Sequence, residues 1–496
     1  MLDPPQPEPV RDLDWSPERA RAFGDRVLEL YSGFLAELVD GPVTPPVTTR
    51  GVREAVTLDV PDDPLADDEL LAHLRAILDQ SLRPGSGGFL AYVSGAGTVP
   101  GAIVDLLASG LNANVGGWVL SPAATEIELQ LVRWLASRFG LPAEAGGQFV
   151  GGGSLANLSA LKLARDHALP GVRADGVGGG APPTVYCSSE AHFTIDRAAD
   201  VLGLGESAVR KVAVDQGLAM RVDDLVRRIE ADLAAGARPV AIAANAGSTG
   251  TGAIDPLEQI ADVAASYGLW LHVDAAYGGA VVLSDELRPL LRGIERADSI
   301  TFDAHKWLYA PLLSAVVLVR DGSVLNRSFS AHASYVEQDR EVSDRGIDLG
   351  FEGLQLSRSF TALRVWVGLL AHGRAAYARR IEHDVALTRW LAAQVEGLRD
   401  LQLACPPSLS ICCFRYVPAG VEDEGYLDRL NTRVMTELQL DGRVFPSNAL
   451  VHGRTAIRSC IVSFRTEAEH LQRLLELTRE IGARVHESGV AREPEW

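Results

Sequence analysis

A lysine and an aspartate, each delivered by an apolar run, are the residues of this sequence best suited to chemistry. Lys306 ends the run Ser299-Ile300-Thr301-Phe302-Asp303-Ala304-His305-Lys306 and is followed by Trp307. Apolar surroundings penalise a charged ammonium, so the pKa of Lys306 is expected to fall toward that of a neutral amine. A neutral amine condenses with an aldehyde to give a Schiff base. Earlier in the chain a second apolar run, Leu269-Trp270-Leu271-His272-Val273, ends in Asp274. Pyridoxal phosphate requires this pair at two strand ends. The lysine holds its aldehyde, and the acid keeps its pyridine nitrogen protonated so that the ring accepts electrons.

Further residues complete a candidate set. Gly151-Gly152-Gly153-Ser154 separates an apolar strand from a helix predicted over 155–168. Glycines let backbone approach an anion, a helix N-terminus offers unpaired N–H groups, and Ser154 adds a hydroxyl. A plain tight turn reads the same way. A single turn of this kind favours one phosphate over a dinucleotide pyrophosphate. His192, after Ser188-Ser189-Glu190-Ala191, is placed to stack on a flat ring or to serve structure alone. In Asp274-Ala275-Ala276-Tyr277-Gly278-Gly279 small residues after the acid leave room for a planar group, with a helix cap as the plain alternative for Asp274. Asn245 lies past a further strand.

The elements that must position these residues follow from the hydrophobic pattern. Strands are predicted at 148–150, 184–187, 240–244, 269–273, 300–302 and 315–319, with helical stretches between most of them. Ser121-Pro122 opens a helix carrying Ile127, Leu131, Val132 and Leu135 on one face. Short apolar strands alternating with helices imply an α/β fold with a mainly parallel sheet buried on both faces, and ligands then bind beyond the carboxyl ends of the strands. Upstream, Ser16-Pro17-Glu18 opens one amphipathic helix, Gly41-Pro42 breaks it, and 65–82 reads as another. Two such helices without a core of their own pack on their own chain or lie across a second subunit. Downstream, strands at 408–414 and 456–463 and helices at 426–438 and 468–481 describe a small α+β unit. The resulting division is an N-terminal helical arm for dimerisation (1–85), a large cofactor-binding domain (86–370) and a small C-terminal α+β domain (371–496).

Composition excludes several classes. With 496 residues, 47% hydrophobic and 22% charged, the chain is a globular protein of more than one core. A net charge of −19 argues against nucleic acid and anionic membranes as partners. No apolar run reaches membrane-spanning length, and Met1-Leu2-Asp3-Pro4-Pro5 lacks the features of a signal peptide. Five cysteines without metal-ligand spacing read as reduced thiols, no metal is expected, and the cytoplasm is the expected compartment.

The chain resembles the group II pyridoxal-phosphate-dependent decarboxylases, the aromatic-amino-acid and glutamate decarboxylase family. The resemblance is carried by 121–126, 151–157, 190–192, 272–279, 303–307 and 356–363, in order, with 410–416 further on. It implies the large aspartate-aminotransferase type of fold (fold type I), an N-terminal arm and an obligate homodimer acting on an amino acid. It also implies that Lys306 forms the Schiff base, Asp274 pairs with the pyridine nitrogen and His192 stacks on the ring. Gly153, Ser154 and His305 fall where the family holds the phosphate, Ala276 where a small residue meets the ring, and Asn245 where a threonine often sits. Phe89, Tyr92 and Trp118 lie in stretches that line the substrate side and suggest an apolar or aromatic amino acid. One departure stands out. The family's proton-donating tyrosine has no counterpart in 348–355, and the nearest upstream is Tyr335. The expected reaction is decarboxylation to the amine. The alternatives are decarboxylation-coupled oxidative deamination to an aldehyde, transamination, or a cofactor-binding protein without catalysis.

Overall fold

Seven strands from the middle of the chain form one sheet in the computed structural model, which describes residues 11–331 and 346–489. Numbered in chain order, the strands are β1 (Phe89–Leu90), β2 (Gly146–Val150), β3 (Pro183–Ser188), β4 (Val209–Val212), β5 (Arg238–Asn245), β6 (Trp270–Asp274), β7 (Ser299–Asp303), β8 (Ala315–Val319), β9 (Leu401–Leu403), β10 (Ile411–Tyr416), β11 (Phe445–Val451) and β12 (Arg454–Cys460). The large sheet has the order β2-β8-β7-β6-β5-β3-β4. The pairs β4–β3, β3–β5, β5–β6 and β6–β7 are parallel, while β8 runs antiparallel to both β7 and β2. Every residue of β7 and β8 is buried, as a sheet covered on both faces requires, and β8 is apolar throughout. The fold is the α/β class read from the sequence.

The predicted strands of this sheet recur with ends shifted by one or two residues, and β4 is an addition. Its Arg210 and Lys211 break the apolar pattern because β4 pairs with β3 alone, at the sheet edge. The helices introduced first are α1 (Pro17–Asp40), α2 (Thr49–Val56), α3 (Asp67–Asp79), α4 (Val99–Leu111), α5 (Pro122–Phe139) and α6 (Gly153–Ala168). Ser16 caps α1 by accepting from the Arg19 N–H, and α1 ends at Gly41. Ion pairs Arg19–Asp67 (2.8 Å) and Arg75–Glu37 (2.7 Å) tie α1 to α3. Among the described residues the arm thus holds three helices, where the sequence pattern predicts two; α2 is short and buries no side chain.

A five-stranded sheet, β1-β11-β12-β10-β9, belongs to the C-terminal part. The division at residue 86 needs one correction. Phe89 and Leu90 pair in parallel with Phe445 and Pro446, so β1 is an edge of the small sheet and not of the large one. All five cysteines are free and buried. Among the described residues no helix is long and apolar enough to cross a membrane.

The two parts meet at a buried carboxylate. Asp384, on the helix Arg374–Gly397, accepts from Trp307 Nε1 (2.8 Å), Tyr309 Oη (2.6 Å) and both Nε and an NH2 group of Arg380 (2.9 and 2.6 Å). Trp307 also stacks on Tyr277, with centroids 5.2 Å apart. The segment just beyond Lys306 is thereby fixed to the following domain. Asp384→Ala strands three donors in a buried site and is expected to cost about 3–5 kcal/mol of stability, read as a lowered denaturation midpoint. A midpoint within error of wild type would show that the donors find other partners.

Candidate active site

Parallel strands deliver their last residues to one edge, and the candidate side chains stand there. Asn245 ends β5 and Asp274 ends β6, and the two are partners in register; Asp274 in turn pairs with Thr301 of β7. Lys306 follows the end of β7 by one turn. Gly151–Ser154 join β2 to α6, and His192 lies between β3 and the helix Thr194–Val201. A cavity of about 270 Å³ is lined by Gly153, Ser154, His192, Asn245, Asp274, Ala276, His305 and Lys306. Asn157, Thr194, Ser248, Thr249, Asp303 and Leu313 also line it.

Gly152 has φ +106°, a backbone conformation that side chains disfavour, and it turns the chain into α6. A Cβ on Gly153 would lie 2.7 Å from Asp303 Oδ2, so this glycine lets the helix start press against the strand end. The first N–H groups of α6 have no partner within the helix, and the residues that start it line the cavity, an arrangement that suits an anion. Asp274 is held from both sides: Oδ1 accepts from the Ala276 N–H (3.1 Å) and Oδ2 from Asn157 Nδ2 (2.8 Å). Asn245 donates from Nδ2 to Ser188 Oγ (2.9 Å) and from its backbone N–H to Asp255 Oδ2 (2.7 Å). Burial pushes the Asp255 carboxyl up to about 7, against the two backbone N–H groups it accepts.

The electrostatics correct one expectation. Burial does push the Lys306 amine down, but Asp303, with Oδ2 at 2.9 Å from Nζ, and then Asp274 act in the opposite direction. The net shift is upward. The lysine is held as an ammonium by an acid three residues before it. Burial also lowers the pKa of His192, outweighing Asp274, and that of His305, outweighing Asp303. His305 Nδ1 lies 3.1 Å from the Ser314 carbonyl oxygen. Asp303 Oδ1 is buried and unpaired.

This donor set fits pyridoxal phosphate. Ser154, the start of α6 and His305 suit the phosphate, Asp274 suits the ring nitrogen, His192 and Ala276 suit the ring faces, and Lys306 suits the aldehyde. Asn157, Thr194 and Asp303 were missed as site residues. Spacing held the signal for each: Asn157 is one helical turn past Ser154, Asp303 one turn before Lys306, and Thr194 two residues after His192.

The three aromatic substrate candidates do not line this cavity. Phe89 is buried with its ring stacked on Phe445, centroids 5.6 Å apart, so it is a core residue of the small sheet. Tyr92 is exposed, and its carbonyl accepts from Arg458. Trp118 donates from Nε1 to Glu126 (2.9 Å) and from its backbone N–H to Asp348 (2.7 Å). Tyr335 lies outside the described residues. In the stretch without a tyrosine, Leu349 is fully buried in the main core.

Comparison with known proteins identifies a family for the chain. A family model described as the pyridoxal-dependent decarboxylase conserved domain matches residues 50–417. The aromatic-L-amino-acid decarboxylase of Bacillus atrophaeus is 32% identical over 465 residues, 94% of this chain and 95% of that protein. Cysteine sulfinic acid decarboxylase of Homo sapiens is 33% identical, over 77% of this chain and 78% of its own. A phenylacetaldehyde synthase from a Rosa hybrid cultivar is 28% identical, over 92% of each. An Oryza sativa TDC solved with PLP and tryptamine superposes with a TM-score of 0.90 at 28% identity, covering 95% of this chain and 99% of that one.

The Asp303–Lys306 pair generates a pH prediction. Asp303 raises the amine's pKa, so Asp303→Asn should bring the reactive neutral amine to lower pH. Protein stripped of pyridoxal phosphate should then take the cofactor up faster near neutrality than wild type. The appearance of cofactor absorbance, followed from about pH 6 to 10, measures this. Superimposable profiles would show that Asp303 does not govern the amine.

Proposed function

This chain belongs to the pyridoxal-dependent decarboxylase family and is a pyridoxal-phosphate-dependent amino acid decarboxylase; from that premise we propose that it converts an L-amino acid with an aromatic or apolar side chain to the amine and carbon dioxide. The observation that carries the reading is the convergence of Lys306, Asp274, His192 and Ser154 on one cavity. The side-chain preference is supported by the cavity's lining, which includes no arginine and has Lys306 as its sole lysine among the described residues. That suits an uncharged side chain better than a sulfinate. It is supported also by the name of the Bacillus relative.

Bound pyridoxal phosphate supplies the sink for the electron pair left when carbon dioxide departs. The chain's own residues prepare that event. Lys306 presents its amine at the end of β7, with Asp303 as counter-ion. Asp274 holds a proton at the ring nitrogen, and its two N–H donors keep its oxygens in place. That charge stabilisation is needed most in the transition state. His192 covers a ring face, with Ala276 as the small residue toward the ring. Ser154, Gly153 and His305 orient the phosphate, and Asn245 borders the site between Ser188 and Asp255.

A second reading has its own support: residues 348–355 contain no tyrosine, Leu349 is packed in the core, and an aldehyde synthase is among the relatives. In it, dioxygen and water are consumed and the products are the aldehyde, carbon dioxide, ammonia and hydrogen peroxide. Borohydride treatment should fix a pyridoxyl group on the Lys306 peptide. Products from a panel of amino acids, measured with and without oxygen, should be amine plus carbon dioxide in both cases, best from aromatic substrates. Aldehyde with peroxide, in oxygen alone, selects the second reading. Label on another lysine removes both.

The same reading includes a homodimer. Ile103, Leu106, Leu107 and Leu111 of α4 are exposed together with Leu120, Leu312 and Leu313, and Leu313 also lines the cavity. An apolar face of this kind suits a second copy of the chain. Light scattering should give a dimer, dissociated by Leu106→Asp with Leu107→Asp. A stable, active wild-type monomer would refute this part of the reading.

A further inference from the structure

Behind the cavity runs a chain of hydrogen bonds whose proton positions can be deduced from donor chemistry. Trp270 Nε1 lies 2.8 Å from Ser299 Oγ, and His272 Nδ1 lies 3.0 Å from the same oxygen. His272 Nε2 is 3.0 Å from Asn157 Oδ1. Asn157 Nδ2 is 2.8 Å from Asp274 Oδ2 and 3.0 Å from Thr194 Oγ1, and Thr194 Oγ1 is 2.9 Å from His192 Nδ1. Asn157, His272, Ser299 and Thr194 are all buried.

Both ends of this chain constrain it. An indole N–H only donates, so Ser299 Oγ accepts from Trp270 and has its own proton free for His272 Nδ1. A carboxylate only accepts, so the Asn157 atom facing Asp274 is the amide nitrogen, and its oxygen faces His272. His272 therefore carries its proton on Nε2, in agreement with the Ser299 end. Burial pushes its pKa down to about 4, so the ring is neutral. The second N–H of Asn157 goes to Thr194, whose hydroxyl proton is then left for His192 Nδ1. The Thr194 backbone N–H also points at that atom, at 3.4 Å. Neutral His192 thus has its proton on Nε2.

We propose that Asn157, backed by His272, is a positioning residue: one amide clamps the Asp274 carboxylate and, through Thr194, sets the tautomer of His192, so that the acid and the histidine are oriented as a unit. The inference rests on the reading of Asp274 and His192 as the cofactor's neighbours. It adds that neither is set independently. The Trp270–Ser299–His272 segment fixes the amide so that it cannot turn over without losing bonds on both sides.

The test uses holoenzyme labelled with ¹⁵N-histidine, together with cofactor affinity from equilibrium dialysis. Wild-type His192 should give the Nε2–H signature. Thr194→Val should convert it to a tautomer mixture, and Thr194→Ser should restore it. Asn157→Ala should lose the signature as well and weaken cofactor binding by about tenfold. A wild-type His192 with its proton on Nδ1, or a Thr194→Val signature identical to wild type, overturns the proposal. The Thr194 pair decides the matter even where Asn157→Ala fails to fold. Asp274→Ala separates the two levels of inference. Wild-type cofactor absorbance in that variant defeats the underlying reading; altered absorbance there with wild-type affinity in Asn157→Ala defeats the clamp alone.

Discussion

The register of β5, β6 and β7 is the constraint on which this site depends. Asn245 is opposite Asp274, and Asp274 opposite Thr301, with Asp303 two residues further along the same strand. Side chains alternate between faces of a strand, so a slip of one residue in any of the three would turn its functional group to the wrong face. Both faces of these strands are closely packed, so a slip would exchange side chains of different size and shape between two filled layers, which opposes it. Chemistry at the edge is thus maintained by packing within the sheet.

Three aspartates near that edge are kept apart in role by their surroundings. Asp274 receives N–H groups on both oxygens and borders the cavity. Asp303 faces an ammonium and leaves one oxygen unpaired. Asp384 sits behind Trp307, saturated by an indole, a phenol and a guanidinium. Identical functional groups within a short reach therefore sit in three different settings, according to the donors around each.

Much of the large domain is legible in the sequence because burial on both faces leaves continuous apolar runs. Lys306 and Asp274 stand out for the same reason: each ends such a run. The less legible parts are those where short elements obey tertiary context. β1 is two residues long, and β11 contains Pro446, Ser447 and Asn448, a composition that reads as loop. Aromatic residues are ambiguous in the sequence. Phe89 has the composition of a binding surface and the position of a core residue, and composition cannot distinguish the two. The lysine's charge state was misread because burial was weighed without the acid one turn away. Asn157 and Thr194 are ordinary polar residues until the fold brings a helix start and a strand end together.

The placement of β1 bears on how the chain reaches this structure. Phe89 and Leu90 must find β11, about 350 residues later, before the small sheet has both edges. During synthesis the cavity-forming sheet is complete long before that partner leaves the ribosome. The large sheet can therefore assemble first, with residues 89–90 waiting as an unpaired edge. Closure of the small sheet is then a late, non-local step that draws the arm's connection, the Lys306 segment and the C-terminal strands together. The first strand of the chain is thus the one that waits longest for its partner.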